Sequence, residues 1–442
     1  MTSAGAVTTR TVTHPIGASG PGVRSVVDMT IDSGVGEAWI IDAVRSPRGI
    51  GKQGKGSLAH LHPQNVLGQV LNGLHEHVGF ERSDVDDVVT GNGSHAGDHA
   101  HDIGRMAVLD AGWPVTVPGV TLNRFCGSGQ QAVTFAAMGV GAGHQDLVIG
   151  AGVESMSRPA RNGTDGFHAN NEHLLATHPQ IPQGLSADLI ATLDGVTRVD
   201  VDALALESQH RAKIAIDEGR FERSLIPILN DDGTVALDHE EYPRPETTAE
   251  GLADLHPSFA KFVDFKFEQS DLTMAELMAQ KYPGVELHNV HHAGNSSGVV
   301  DGAAAVLVSS PSYARSHGLT PRARIVMSAV AADEPLIMLT APGPAANKCL
   351  ARAGMTIDDI DLFEVNEAFA SVVLRFFRDT GADPLKVNVN GGAIALGHPI
   401  GATGAMLIGT LLDELERRDL QTGLVAMCTG GGMGTATIIE RI

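Results

Sequence analysis

The chain has 442 residues, 43% of them apolar, enough to fill more than one hydrophobic core and to make about three units of ordinary domain size. Its formal charge of -21 opposes nucleic acid and anionic membrane surfaces, so any phosphate it binds must be met by local basic groups or helix N-termini. No apolar run approaches the roughly 18 residues needed to cross a bilayer, no secretion signal opens the chain, and three cysteines are too few for a disulfide framework, which points to the reducing cytoplasm.

Residues 1–36 are rich in Gly, Ser, Thr and Val and carry no acidic residue before Asp28; they are expected to form a disordered extension, with Met29 as an alternative start. AWIIDAVRS (38–46) reads as a buried strand, a helix is expected near 62–79, and DVVTGNG (87–93) reads as the next strand, an alternation that suggests a parallel sheet. The run after Cys126, QQAVTFAAMGVGAG, is apolar on every side at helical length, so it predicts a helix buried between layers and feeding the strand DLVIGAG (146–152). Residues 155–288 are more polar and punctuated by proline, as in THPQIPQG (177–184) and EEYPRPETTAEG (240–251), with clear helices only near 186–219; this is expected to be an inserted lid or loop domain. The core pattern returns at HAGNSSGVVDGAAAVLVSS (292–310), a glycine-rich turn before a buried strand. It repeats at GATGAMLIGTLLDELERR (401–418), a helix opening on glycine and leading into the strand GLVAMCTGGG (423–432). Two glycine-opened helices, each feeding an apolar strand, predict an internally duplicated α/β architecture: 37–154 with 289–311 as one half, 155–288 as the insert and 312–442 as the other half.

Two cysteines stand against glycine clusters, in NRFCGSGQQ (123–131) and MCTGGGMG (427–434). At the start of a buried helix the free N–H groups and positive dipole end would stabilise a Cys126 thiolate and lower its pKa; the alternative is a small buried hydrophobe. His398, in GHPIGATG, can accept a proton or donate to a developing oxyanion, and Cys428 is either a second thiol acting as acid and base or a packing residue at a strand end. In EVNEAFASV (364–372), Asn366 beside Glu367 either orients a water or caps a helix. HAGDHAHD (95–102) and HNVHH (288–292) lack regular metal-ligand spacing and read as solvated loops, with no metal expected, and Cys349 in AANKCLARAG (345–354) reads as structural.

Taken in order, NRFCGSG, AGNSSG, NEAFA, NVNGGAIALGHPIGATGA and CTGGGMG resemble the signature blocks of the thiolase family, a likeness covering residues 38–442. The resemblance implies a layered α-β-α-β-α fold of two similar halves, each with a five-stranded mixed sheet, plus an inserted loop domain. It implies Cys126 as the acylated nucleophile, His398 as its activator, Cys428 as acid and base, and Asn366 as the holder of an oxyanion-hole water with His398. Backbone N–H groups of Cys126 and Gly430 would form a second oxyanion hole. Ser297 matches a position at the pantetheine arm, Arg244 a lid arginine near the nucleotide of coenzyme A, and Phe369 and Met338 are implied at the substrate. No cofactor is implied, since coenzyme A is a substrate. The implied partners are acyl-CoA and CoA, a second copy in a homodimer or homotetramer, and a hydratase/dehydrogenase subunit. Acetoacetyl-forming members carry a His-Met pair before a lid glycine, whereas this chain has Pro182 and Gln183 before Gly184. That departure favours a 3-ketoacyl-CoA thiolase of β-oxidation over acetyl-CoA acetyltransferase, with a non-catalytic scaffold subunit as the third alternative.

Overall fold

The computed structural model describes residues 36–158 and 167–442. The extension expected over 1–36, with its alternative start at Met29, lies outside the described residues apart from Gly36.

The first half runs β1 (Trp39–Arg45), α1 (Pro63–Val78), β2 (Asp87–Gly91), α2 (Ile103–Asp110), β3 (Val120–Leu122), α3 (Ser128–Gly141) and β4 (Leu147–Ser155). Two long helices of the polar segment follow, α4 (Gln183–Asp194) and α5 (Arg198–Asp217), and the chain then returns as β5 (Val300–Ser309). The second half runs β6 (Ala323–Ala332), α6 (Pro342–Ala353), β7 (Leu362–Val365), α7 (Ala370–Thr380), α8 (Ala393–Leu396), α9 (Thr403–Arg417), β8 (Thr422–Thr429) and β9 (Met433–Arg441). The local signals act as read: α1 has Pro63 in its first turn and ends on Gly79 in a left-handed conformation, and β4, β5 and β8 are buried at every position, as strands covered on both faces must be.

The sheet is mixed rather than parallel. In the first half β3–β2–β4 pair in parallel, then β4–β5 and β5–β1 antiparallel. The second half repeats the pattern, with β7–β8 parallel and β8–β9 and β9–β6 antiparallel. Its outermost position, held by β3 in the first half, shrinks to a single parallel bridge between Phe363 and Val387. The halves join where β1 and β6 pair at Trp39–Arg324 and Ile40–Ala323, making one ten-stranded sheet in which the short strand Gly49–Ile50 pairs with β5.

Helices α3 and α9 meet backbone to backbone. A Cβ on Gly404 would fall 2.3 Å from the Gln130 nitrogen, and one on Gly129 would fall 2.7 Å from the Gly401 carbonyl oxygen. Gln130 fastens α3 to the second half: its amide donates to the Val425 carbonyl (3.1 Å) and to Thr437 Oγ1 (2.9 Å) and accepts from Thr435 Oγ1 (2.6 Å).

The polar segment holds more helix than its composition suggests, with short turns at Glu172–Thr177, Ala249–Ala253 and Met274–Lys281 beside α4 and α5. Each has its own N-cap, Asn171, Thr248 and Thr273, so cap chemistry carries them where their length is too short for a periodic signal. Leu185 and Leu189 of α4 pack with Met274, Leu277, Met338 and Phe369 in one apolar cluster that also contains Cys428. Glu240 is buried against Arg45 (2.6 Å) and Arg48 (2.7 Å), which anchors this segment to the end of β1.

Candidate active site

Cys126 sits on a strained turn two residues before α3. Phe125, just before it, has φ +49°, and side chains on both sides hold that conformation: Asn123 Oδ1 accepts from the Phe125 N–H (2.7 Å), and Ser128 Oγ accepts from the Arg124 N–H (2.9 Å) and donates to the Phe125 carbonyl (2.6 Å). Burial pushes the Cys126 thiol up to about 11, with the Glu154 carboxylate adding to the rise, while the Gly430 N–H and the Gln183 side chain act the other way as hydrogen-bond donors to the sulfur. This corrects the expectation of a lowered pKa: desolvation outweighs the helix N-terminus, and the resting group is a thiol.

His398 is buried, and burial, aided by the nearby Arg48 charge, holds it down to about 4, so it is a neutral imidazole. Its Nδ1 lies 2.6 Å from Thr403 Oγ1, whose own proton goes to the Pro399 carbonyl (2.9 Å). Thr403 therefore accepts from Nδ1–H, leaving Nε2 as the bare nitrogen. Asn366 Nδ2 approaches Nε2 at 3.4 Å, and Asn366 Oδ1 is buried with no partner. The cap reading of Asn366 fails: α7 is capped at Phe369, by no side chain. Glu367 is a buried tie instead, accepting from Ser208 Oγ (2.6 Å), Asn388 Nδ2 (3.0 Å) and the Ile394 N–H (3.1 Å).

Cys428 is the penultimate residue of β8, fully buried, and its thiol is pushed up by burial and by the neighbouring Cys126. The turn that follows has two successive residues of positive φ, Gly431 (+77°) and Gly432 (+76°), which glycine adopts freely. At Gly430 a Cβ would fall 2.7 Å from the Phe167 ring and 3.1 Å from Phe125, so only a bare backbone leaves room there for its N–H to face the sulfur.

Three backbone hydrogen bonds bring the remaining blocks together: Ser297 N–H to the Ala368 carbonyl (3.0 Å), Gly298 N–H to the Ala393 carbonyl (3.0 Å) and His398 N–H to the Gly298 carbonyl (2.9 Å). Phe369 pairs with Ser296 across this junction and packs edge-on to Phe259 and His291. Met338 is fully buried with φ +59° in the same apolar cluster. Arg244 lies farther out, its guanidinium over the Tyr242 ring, in a cavity of about 270 Å³ that Ala293 and Gly294 also line.

The solvated-loop reading fails for three histidines. His291 and His292 are buried on Asp188 (2.8 Å) and Asp202 (2.8 Å), and His99 is buried, accepting from the Ser155 N–H. Among the described residues no three His, Cys, Asp or Glu side chains converge as a metal set. Cys349 is buried in α6 and donates to the Met327 carbonyl. Two residues not singled out in the sequence contribute: Thr403, inside the GHPIGATGA block, and Glu154, which accepts from the Gly93 N–H (2.8 Å), the Gly401 N–H (2.9 Å) and Ser94 Oγ and so ties the His398 loop to β4. Glu154 lies in a wholly buried strand, where an acidic residue is itself a signal.

The chain matches the family described as Thiolase, N-terminal domain, over residues 38–262 and that described as Thiolase, C-terminal domain, over 319–441. It is 40% identical to a steroid 3-ketoacyl-CoA thiolase of Mycobacterium tuberculosis, across 92% of this chain and 94% of that protein. Among solved structures it resembles the Bacillus anthracis acetyl-CoA acetyltransferase (TM-score 0.77, 35% identity, 92% of this chain and 99% of that one). It also resembles human mitochondrial 3-ketoacyl-CoA thiolase in complex with CoA (TM-score 0.78, 32% identity, 92% and 98%).

Proposed function

The chain belongs to the thiolase family, and from that premise we propose that it cleaves 3-ketoacyl-CoA with CoA, giving acyl-CoA and acetyl-CoA, in fatty-acid β-oxidation. The observation carrying this reading is a buried pair of neighbouring protonated thiols, Cys126 and Cys428, with the Gly430 N–H at the first; a neutral His398 imidazole standing against the Asn366 amide supports it. His398 Nε2 takes the Cys126 proton as the sulfur attacks C3 of the substrate. The oxyanion is held by the imidazolium and by a water on Asn366, whose unpaired Oδ1 supplies an anchor. The C2–C3 bond breaks, its electron pair passes to C2 of acetyl-CoA, and the Cys428 thiol protonates that carbon. The Cys428 thiolate then deprotonates incoming CoA, whose sulfur attacks acyl-Cys126, with the Cys126 and Gly430 N–H groups holding the second oxyanion; its collapse expels the Cys126 thiolate, which takes back its proton from His398. Ser297, Phe369 and Met338 border the pantetheine and acyl group, and Arg244 meets the nucleotide end. The reaction needs no cofactor. The working enzyme is a homodimer or homotetramer, with a hydratase/dehydrogenase subunit as a further partner. It acts in the cytoplasm, a reading supported by three unpaired cysteines and by the lack of any described helix long and apolar enough to cross a membrane.

Intact-protein mass after mixing with an acyl-CoA should rise by one acyl group, and Cys126→Ala should show no adduct. Cys428→Ala should still acylate, while turnover falls about 100-fold to 10,000-fold; near-normal turnover would make Cys428 structural. Replacement of the lid His-Met pair by Pro182 and Gln183 favours longer acyl groups, so kcat/KM should rise with chain length from four carbons, each buried methylene adding roughly 0.8 kcal/mol. A higher value for acetoacetyl-CoA than for a ten-carbon 3-ketoacyl-CoA would replace this reading by acetyl-CoA acetyltransferase, the activity for which the B. anthracis relative is named.

A further inference from the structure

His398 is held differently from two other buried imidazoles of the chain. His291 stands on the Asp188 carboxylate and His292 on that of Asp202, each at 2.8 Å. The side chains bonded to His398 among the described residues are Thr403, whose Oγ1 lies 2.6 Å from Nδ1, and Asn366, whose Nδ2 lies 3.4 Å from Nε2. Neither is a carboxylate.

Thr403 is the first residue of α9 and is 1% exposed. Its hydroxyl donates to the Pro399 carbonyl (2.9 Å), a bond to residue i−4 that threonine makes readily in a helix, which leaves the oxygen lone pairs for Nδ1–H. The loop between the two residues is pinned at its middle: the Gly401 N–H donates to Glu154 (2.9 Å), and a Cβ on Gly401 would fall 2.6 Å from the Val153 carbonyl oxygen. At the far nitrogen the Asn366 amide is a donor, which a bare Nε2 can accept and an Nε2–H cannot. The two contacts specify one tautomer from opposite edges of the ring.

We infer that Thr403 is a positioning residue for acyl transfer, keeping one proton on Nδ1 of His398 throughout the cycle so that Nε2 alone exchanges the Cys126 proton. The inference rests on the thiolase reading above and deepens it. As the Cys126 sulfur bonds to the substrate carbon, its S–H bond breaks and an Nε2–H bond forms; when the acyl group leaves, that proton returns to sulfur. Thr403 takes no proton itself. A carboxylate in its place would favour an imidazolium before substrate arrives, whereas a hydroxyl closed on a main-chain carbonyl sets the tautomer and leaves the ring neutral, the state in which burial holds it. Without the hydroxyl, Nδ1–H is a buried donor with no acceptor, and the ring turns to the Nε2–H tautomer, which has no lone pair for the thiol proton.

The test times acylation of Cys126 by an acyl-CoA, using rapid quenching and intact-protein mass, in the full-length protein and two variants. Thr403→Val keeps the shape and removes the hydroxyl, while Thr403→Ser keeps the hydroxyl. The valine variant should acylate about 10-fold to 100-fold more slowly with KM little changed, the cost of one buried donor left without its partner, and serine should restore most of the rate. Nitrogen-15 spectra of the histidine-labelled wild-type protein, with His398 assigned by its absence in His398→Asn, should show the Nδ1–H tautomer at pH 7. An Nε2–H tautomer in the wild type overturns the inference whether or not a variant folds. So does a valine variant that acylates at the wild-type rate, or a serine variant as slow as the valine one. A wild-type protein that never acylates would overturn the thiolase reading and leave the tautomer to be decided by the spectrum alone.

Discussion

At pH 7 neither Cys126 nor His398 carries a charge, because burial holds one near 11 and the other near 4. In the mechanism proposed above, a thiolate and imidazolium present before substrate arrives would each carry a desolvation cost; neutral groups avoid it and ionise only as the carbon–sulfur bond forms. Alkylation of Cys126 by iodoacetamide should therefore be slow at neutral pH and climb steadily through pH 9. A rate that levels off below pH 7 would reveal a preformed thiolate and sink this account. The residues themselves are visible in the sequence, since glycine clusters around two thiols are rare. Their ionisation is not: the helix N-terminus can be read from the chain, but the depth of burial that outweighs it is set by Phe125, Phe167 and the packed polar segment, which no local pattern encodes. The burial of His291 and His292 escapes the sequence for the same reason, because their partners Asp188 and Asp202 are distant in the chain.

The long strands and the two glycine-opened helices follow from pattern, since fully apolar strands and an all-round apolar helix have few other places to go. The short helices of the polar segment do not, being carried by a cap and one to three buried side chains each. At α3 and α9, glycine serves contact rather than flexibility. Gly404→Ala puts a methyl 2.3 Å from the Gln130 nitrogen, and the helices must part to admit it. That overpacking should cost about 1–3 kcal/mol and loosen the Gln130 hydrogen bonds to Val425 and Thr437. Thermal melts and amide exchange at these strands would check it; an unchanged melting temperature would mean that the helices are free to shift.

Across the whole molecule, acid tolerance is set by opposed buried groups. Burial holds His398 and His99 near 4, below the ordinary 6.5, so on acidification the unfolded chain takes up protons that the folded one refuses. Their contribution is complete above pH 6.5 and is lost as the pH falls from 6.5 towards 4. Asp301, raised by burial to about 6, works in the other direction, since the folded protein binds its proton first. Exchanging one histidine isolates its share. His99→Gln, which can still accept from the Ser155 N–H, should lose about 1.5 kcal/mol less than the wild type between pH 6.5 and 5. Equal losses would show that His99 titrates normally.

The junction of Ser297, Gly298, Ala368, Ala393 and His398 is sewn by main-chain atoms alone. A Cβ on Gly298 would fall 2.2 Å from the Tyr242 ring, so the His398 backbone is held by peptide groups packed too closely there to admit a side chain. At Ser297 the scaffold forbids proline, which has no N–H to give to the Ala368 carbonyl.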